Sequence, residues 1–331
     1  MNQGTTSEAG LDTILGTMTF SGQVDADTAT DMINAFRQAG HTALDTAYVY
    51  NKGKTETLLG ELNAKGVLHG THMAGKANPA EAGGLSAASV RRQLETSLQR
   101  LGMESLDLFY LHSPDLSVPI RETLQAVADL HQQGRFQRFG LSNYAAWQVA
   151  EIAEICRAEG WIRPSVYQGM YNALTRDVER ELFACLRNYD MAFYAYNPLA
   201  GGLLSGKHQS VDAMPEAGRF ADFDGYQGRY WKPAYFDVIN RLSEQCRAEQ
   251  IEPAAAALRW LRHHSALAKP DTSDSDTARP RHALIIGASS MRHFEQNLSA
   301  TSAGPLPDTL VEAFDQGWDE VRAACIKYFR P

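Results

Sequence analysis

Six polar residues close short apolar runs in this chain: Asp45, Lys76, His112, Ser142, Asn143 and Gln168. Tyr50 follows Asp45 closely, in the segment DTAYVYNKGKTE. An aspartate next to a lysine holds it by a charge-assisted hydrogen bond. A lysine ammonium aimed at a phenol stabilises the phenolate, and so is expected to lower the tyrosine pKa from its reference of about 10. A phenol tuned in this way gives or takes a proton on a substrate oxygen near neutral pH. A histidine adds a second hydrogen bond that polarises or orients a carbonyl. Asp45, Tyr50, Lys76 and His112 together therefore suit the protonation of an alkoxide as it forms. None of the four can deliver a hydride, so that chemistry requires a cofactor.

These residues work as a group only if the elements that carry them converge. Eight β-type runs are expected, at 13–18, 41–45, 71–76, 106–112, 136–142, 165–168, 191–195 and 283–286. Amphipathic stretches separate them. Met32, Ile33 and Phe36 recur at helical spacing before Gly40, and Val90, Leu94, Leu98 and Leu101 form a stripe behind Ser86 as N-cap. Runs such as LDLFYL and ALIIGA are apolar almost throughout, as parallel strands covered on both faces must be. Eight β-then-α units predict an α/β fold of the (β/α)8 TIM-barrel type, whose active site is built at the carboxyl ends of the strands. A doubly wound sheet is the competitor, but no G-x-G-x-x-G follows the first run. The Gly-, Pro- and aromatic-rich stretch 197–233 exceeds an ordinary barrel loop and is read as functional. The polar segment 269–282, KPDTSDSDTARPRH, is read as a mobile surface insertion, and residues 1–10 as a flexible tail before a single barrel over 11–331.

Composition narrows the classes further. The 331 residues carry 31 basic and 39 acidic side chains, a net charge of −8, which argues against a sequence-independent grip on nucleic acid or an anionic membrane. No apolar run approaches the roughly 20 residues that span a bilayer. The four cysteines are far apart and none forms a C-x-x-C pair, so neither a disulfide framework nor a structural zinc site is expected. His263 and His264 are adjacent and point apart on a helix, and metal catalysis is not expected. The N-terminal MNQGTTSEAG has neither a basic start nor an apolar core, and a cytoplasmic protein is expected.

Several longer motifs occur in fixed order: LDTAYVY, GKANP, DLFYLHSPD, GLSNYA, YQGMYN, AYNPLAGGLLSGK, GASSM with EQNL, and the closing YFR. Through them the chain resembles the aldo-keto reductases, and within that superfamily the branch of aflatoxin-aldehyde and succinic-semialdehyde reductases. The resemblance implies NADPH-dependent reduction of small aldehydes, including carboxylated or dicarbonyl ones such as succinic semialdehyde. It places the proton donor on Tyr50, supported by Lys76 and Asp45, with His112 orienting the carbonyl. It places the nicotinamide carboxamide on Ser142, Asn143 and Gln168, and the ring that stacks on the nicotinamide on Tyr196. The diphosphate loop corresponds to Asn197, Pro198, Leu199, Gly201, Gly202 and Leu203 with Lys207, and Arg219 closes that side. Consecutive glycines there are expected to let backbone N–H groups approach phosphate oxygens. The adenosine and 2′-phosphate fall on Ser289, Arg292, His293, Gln296 and Asn297, with His293 standing where the branch usually has glutamine. Substrate contacts fall on Met18, Tyr226, Arg229, Trp231 and Arg330, the two arginines matching positions that hold an anionic substrate. Relatives in this branch often form homodimers.

Two other functions share part of this pattern. Cofactor-binding regulatory subunits of the same superfamily, which turn over little, carry the same four residues. A Schiff-base aldolase would instead use Lys76 as a nucleophile, which a charge-holding Asp45 disfavours.

Overall fold

The computed structural model describes residues 10–216, 218–222, 224–268 and 281–330. Eight parallel strands close into a barrel in sequence order: β1 (Asp12–Gly16), β2 (Ala43–Asp45), β3 (His72–Ala77), β4 (Leu106–Leu111), β5 (Phe136–Ser142), β6 (Pro164–Met170), β7 (Ala192–Tyr196) and β8 (Ala283–Ile286). β8 pairs back onto β1, from Asp12 opposite Ala283 to Leu15 opposite Ile286. The (β/α)8 architecture expected from the alternation is therefore the observed one. The tail at 1–10 and the insertion at 269–282 lie outside the described residues, apart from Gly10, Arg281 and His282.

The helices are α1 (Ala26–Gln38), α2 (Lys54–Ala64), α3 (Ala87–Leu101), α4 (Ile120–Gln132), α5 (Ala146–Glu159), α6 (Leu182–Asn188), α7 (Arg219–Asp222), α8 (Asp224–Tyr230), α9 (Pro233–Ala248), α10 (Pro253–His263), α11 (Met291–Ser302) and α12 (Asp308–Val321). Their termini follow local chemistry. The Asp25 side chain accepts the Thr28 N–H at the start of α1, and Ser86 accepts the Ser89 N–H at the start of α3. α1, α4 and α12 bury one apolar face and leave the other in solvent.

β4 shows why the barrel strands read as continuous apolar runs. Leu108 and Tyr110 point into the barrel, with Ile14, Val166 and Ile285, while Leu106, Phe109 and Leu111 join the cluster between barrel and helices. Both faces are dry, so alternation is lost. The ring of Tyr110 fits inside because its neighbour across the ladder is Gly140, where a Cβ would lie 2.4 Å from the ring.

Strand boundaries differ in detail from the sequence expectation. β1 ends at Gly16, since the Phe20 N–H bonds Thr17 O in a turn, and Met18 lies in that loop. β7 extends to Tyr196 through the pairing of Met170 with Tyr196.

Candidate active site

The carboxyl ends of β2, β3, β4, β5 and β6 bring Asp45, Lys76, His112, Ser142, Asn143 and Gln168 to one rim, Asn143 and His112 standing one residue past their strands. Asp45 and Lys76 are both buried, and Lys76 Nζ donates to Asp45 Oδ2 at 2.6 Å and to the Thr46 carbonyl at 2.6 Å. Its third donation is to the Tyr50 hydroxyl at 3.3 Å. The other oxygen of Asp45 accepts from Gln168 Nε2 at 2.8 Å, so both carboxylate oxygens are engaged. The Tyr50 and His112 rings meet edge to face with centroids 6.1 Å apart. The tetrad expected from the sequence is thus assembled.

Tyr50 opens a tight turn, Tyr50–Gly53, in which Asn51, Lys52 and Gly53 all have left-handed backbone, with φ of 47°, 57° and 87°. Three such residues in succession persist only where surrounding contacts over-determine them. Asn51 Nδ2 supplies one set, donating to the carbonyls of Met18 (3.0 Å) and Phe20 (2.8 Å). Arg100 of α3 supplies another, donating to the Tyr48 carbonyl at 3.2 Å and to the buried Glu56 at 3.0 Å.

Electrostatics corrects one sequence expectation. Burial pushes the Tyr50 phenol well above its ordinary pKa, and the charge of Asp45 adds to the rise. Desolvation and the carboxylate behind Lys76 outweigh the ammonium that was expected to lower it. The phenol is therefore held protonated. Burial also lowers the pKa of Lys76, partly offset by Asp45 and Glu56. His112 is pushed well below its usual value by burial first and then by the charges of Lys76 and Arg330, so its imidazole is neutral.

Around this centre lies a polar shelf. Ser142, Asn143 and Gln168 are buried; Asn143 has left-handed backbone, φ 64°, and its Nδ2 donates to the His112 carbonyl at 2.8 Å and to Ser142 Oγ at 3.0 Å. The Tyr196 hydroxyl donates to Asn143 Oδ1 at 2.7 Å. The chain then turns through Pro198 and Leu199 into Ala200–Ser205, where Gly201 and Gly202 have φ of 73° and 105°. The Gly201 N–H is accepted by Asn197 Oδ1 at 2.6 Å, and the Gly202 N–H by Leu199 O at 2.8 Å. Both glycine N–H groups thus have partners inside the turn. What the glycines supply is shape: Gly202 faces open space in a conformation that other residues avoid, so an anion can approach the bare backbone. Leu203 is buried beneath it and Lys207 is exposed at its end. Side-chain amides of Asn143 and Gln168 thus stand at one end of this segment, and the exposed Lys207 at the other.

The remaining expected residues divide. The guanidinium groups of Arg219 and Arg229 stand 5.2 and 5.0 Å from the Tyr226 ring centroid. The charge of Arg219 opposes the rise in the Tyr50 pKa, and the charges of Arg229 and Arg330 oppose the rise at Tyr196. Arg330 is tied in place by its backbone N–H, which Asn143 O accepts at 2.9 Å. Met18 is half-buried beside the Tyr50 turn through the bond from Asn51. Trp231 donates its indole N–H to Val211 O at 2.7 Å and packs against His208, Phe220 and Phe236, as part of an aromatic cluster under the long loop. Ser289, Arg292, His293 and Gln296 lie apart from the tetrad, exposed after β8 and on the first turns of α11. Asn297 is buried and donates to Gly287 O at 3.3 Å, a contact that shapes the end of β8.

Sequence reasoning missed Asn78, whose Nδ2 lies 3.2 Å from His112 Nδ1, and also Asn51, Glu56 and Arg100. Only the motif GKANP, in which Asn78 stands two residues past Lys76, hinted at it.

Comparison with known proteins agrees with this geometry. The model of the aldo/keto reductase family matches residues 13–319. Human aflatoxin B1 aldehyde reductase member 2 is 46% identical over 329 residues, covering 96% of this chain and 89% of the relative. Human aldo-keto reductase family 7 member A3 is 46% identical over 331 residues, covering 96% and 97%. A fungal aldo-keto reductase from Pseudocercospora fijiensis is 39% identical over 304 residues, covering 90% of the chain and 100% of the relative. With the family model spanning nearly the whole barrel, the chain belongs to the aldo/keto reductase family and is an oxidoreductase.

Proposed function

We propose that this protein reduces aldehydes to alcohols with NADPH, and that its preferred substrates carry a second carbonyl or a carboxylate, succinic semialdehyde being one example. The observation that carries the reading is the contact of Lys76 Nζ with both the Asp45 carboxylate and the Tyr50 hydroxyl, beside a neutral His112. One of the relatives above, human aflatoxin B1 aldehyde reductase member 2, bears a name that describes aldehyde reduction.

In this mechanism Tyr50 gives its proton to the carbonyl oxygen as negative charge develops there. Its high resting pKa keeps the donor loaded at neutral pH, and the ammonium of Lys76, 3.3 Å away, receives the phenolate that remains. Asp45, itself held by Gln168, keeps that ammonium in place. His112 hydrogen-bonds the same carbonyl oxygen. A reduced nicotinamide, when bound, would supply the hydride that no side chain here can. Ser142, Asn143 and Gln168 would hold its carboxamide, Tyr196 its ring, and Asn197, the glycine turn, Lys207 and Arg219 its diphosphate. Arg292, with His293, Ser289 and Gln296 nearby, would take the 2′-phosphate that distinguishes NADPH from NADH, because a guanidinium matches phosphate geometry.

The test is NADPH consumption against carboxylated, aromatic and dicarbonyl aldehydes, with Tyr50→Phe alongside. Multiple turnovers are expected in the wild type, with a fall of about 100-fold or more in the variant while cofactor still binds. Tightly retained NADP with negligible turnover would favour the regulatory-subunit reading. Full activity in Tyr50→Phe would remove the phenol from the mechanism.

A further inference from the structure

Asn78 follows β3 by one residue, and all of its polar groups are committed. Its Oδ1 accepts the Ala80 N–H at 2.8 Å, which fixes which end of the amide faces which way. The nitrogen end therefore faces His112, with Nδ2 3.2 Å from Nδ1 of the ring. An amide nitrogen can only donate, so Nδ1 is the acceptor, and a neutral imidazole that accepts at Nδ1 carries its hydrogen on Nε2. The backbone of Asn78 is equally constrained: buried Gln93 of α3 accepts its N–H at 2.8 Å and donates to its carbonyl at 3.1 Å. Gln93 is steadied in turn by Ser89 Oγ at 3.2 Å.

We propose that Asn78 is a positioning residue that locks His112 in the Nε2–H tautomer, with Gln93 holding Asn78 in place. The inference deepens the aldehyde-reductase reading and rests on it for its catalytic meaning. In the opposite tautomer Nε2 would turn a lone pair toward the carbonyl oxygen, repelling the developing charge that it is there to stabilise. The surroundings act in the same direction. Burial, and then the positive charges of Lys76 and Arg330, disfavour a second ring proton on Nδ1. Asn78 then chooses between the two neutral forms that remain.

The experiment is 15N NMR of the whole protein labelled at histidine, at neutral pH, with the His112 signals assigned by their loss in His112→Gln. The wild type is expected to show a protonated Nε2 and an unprotonated Nδ1. Asn78→Asp is close to isosteric and retains the acceptor for Ala80, but presents a carboxylate oxygen to Nδ1. It is expected to move the proton to Nδ1, or to give the doubly protonated ring. In NADPH-dependent reduction of an uncharged aromatic aldehyde the same variant should lose kcat by roughly 10- to 100-fold, with KM and the NADPH Kd within about threefold. A wild-type ring protonated on Nδ1 would overturn the proposal, as would an Asn78→Asp protein with wild-type spectrum and kcat. Equal losses in kcat, cofactor affinity and melting temperature would reduce Asn78 to a structural residue and overturn it as well. If the wild type shows the Nε2–H signature yet reduces no aldehyde, the functional reading fails while the tautomer assignment stands.

Discussion

Gly53 and Arg100 touch across the barrel's outer layer: a Cβ on Gly53 would lie 2.6 Å from Cζ of the Arg100 guanidinium. That guanidinium also rests 4.5 Å from the Tyr48 ring centroid and binds the Tyr48 carbonyl and the fully buried Glu56. One α3 side chain thereby grips the turn that carries Tyr50 on both sides.

Gly53→Ala is expected to destabilise the fold by about 1–3 kcal/mol, since φ is left-handed there and Arg100 must withdraw. Because the turn carries Tyr50, kcat should fall more than KM. Urea unfolding together with steady-state kinetics checks both, and unchanged stability would show that the contact yields freely.

Asp45→Asn strands a buried ammonium, so its expected cost is about 3–5 kcal/mol, with activity lost as well. Pairing it with Lys76→Met removes the stranded charge and should recover much of the stability but none of the activity. Chemical denaturation of the two variants separates these outcomes. Equal destabilisation of single and double variants would contradict the assignment of the cost to the unpaired charge.

His112 makes stability depend on pH in a definite direction. Its folded-state pKa lies well below the unfolded value near 6.5, so the unfolded chain binds the extra proton first as pH falls. Its contribution is present in full above about pH 6.5 and drains away as pH drops through that value toward the folded pKa. Melting temperatures of wild type and His112→Gln, measured from pH 8 to about 5, should diverge least at the acid end, where the wild type has lost that contribution. Burial also lowers His41, His208 and His264, which is why the difference between the two proteins is the informative quantity.

Arg229→Ala and Arg330→Ala are each expected to raise KM for a carboxylated aldehyde about tenfold or more, the loss of one charge-assisted hydrogen bond. Neutral aldehydes should change little. Deleting residues 330 and 331 instead also removes the N–H that Asn143 accepts, so a general loss of kcat is expected from that truncation. Parallel rises in KM for neutral and carboxylated substrates would discard the anion-binding role of the arginines.

The residue types at the strand ends were legible in the sequence because barrel geometry obliges every parallel strand to deliver its last residues to one rim. Asp45, Lys76, His112, Ser142 and Gln168 needed only their place after an apolar run to be brought together. The continuous apolar character of β4 told equally well that both of its faces are covered. The tertiary structure alone decided the rest. It set the direction of the Tyr50 pKa, since desolvation depends on everything packed around the ring, whereas sequence spacing showed only the nearby lysine. It also supplied the supports from α3: Gln93 behind Asn78 and Arg100 behind Tyr48 and Gly53. Helical periodicity marks which face of α3 is buried. Which loop a polar side chain on that helix reaches depends on how the helix is docked on the barrel, and docking is a property of packing that no local pattern encodes.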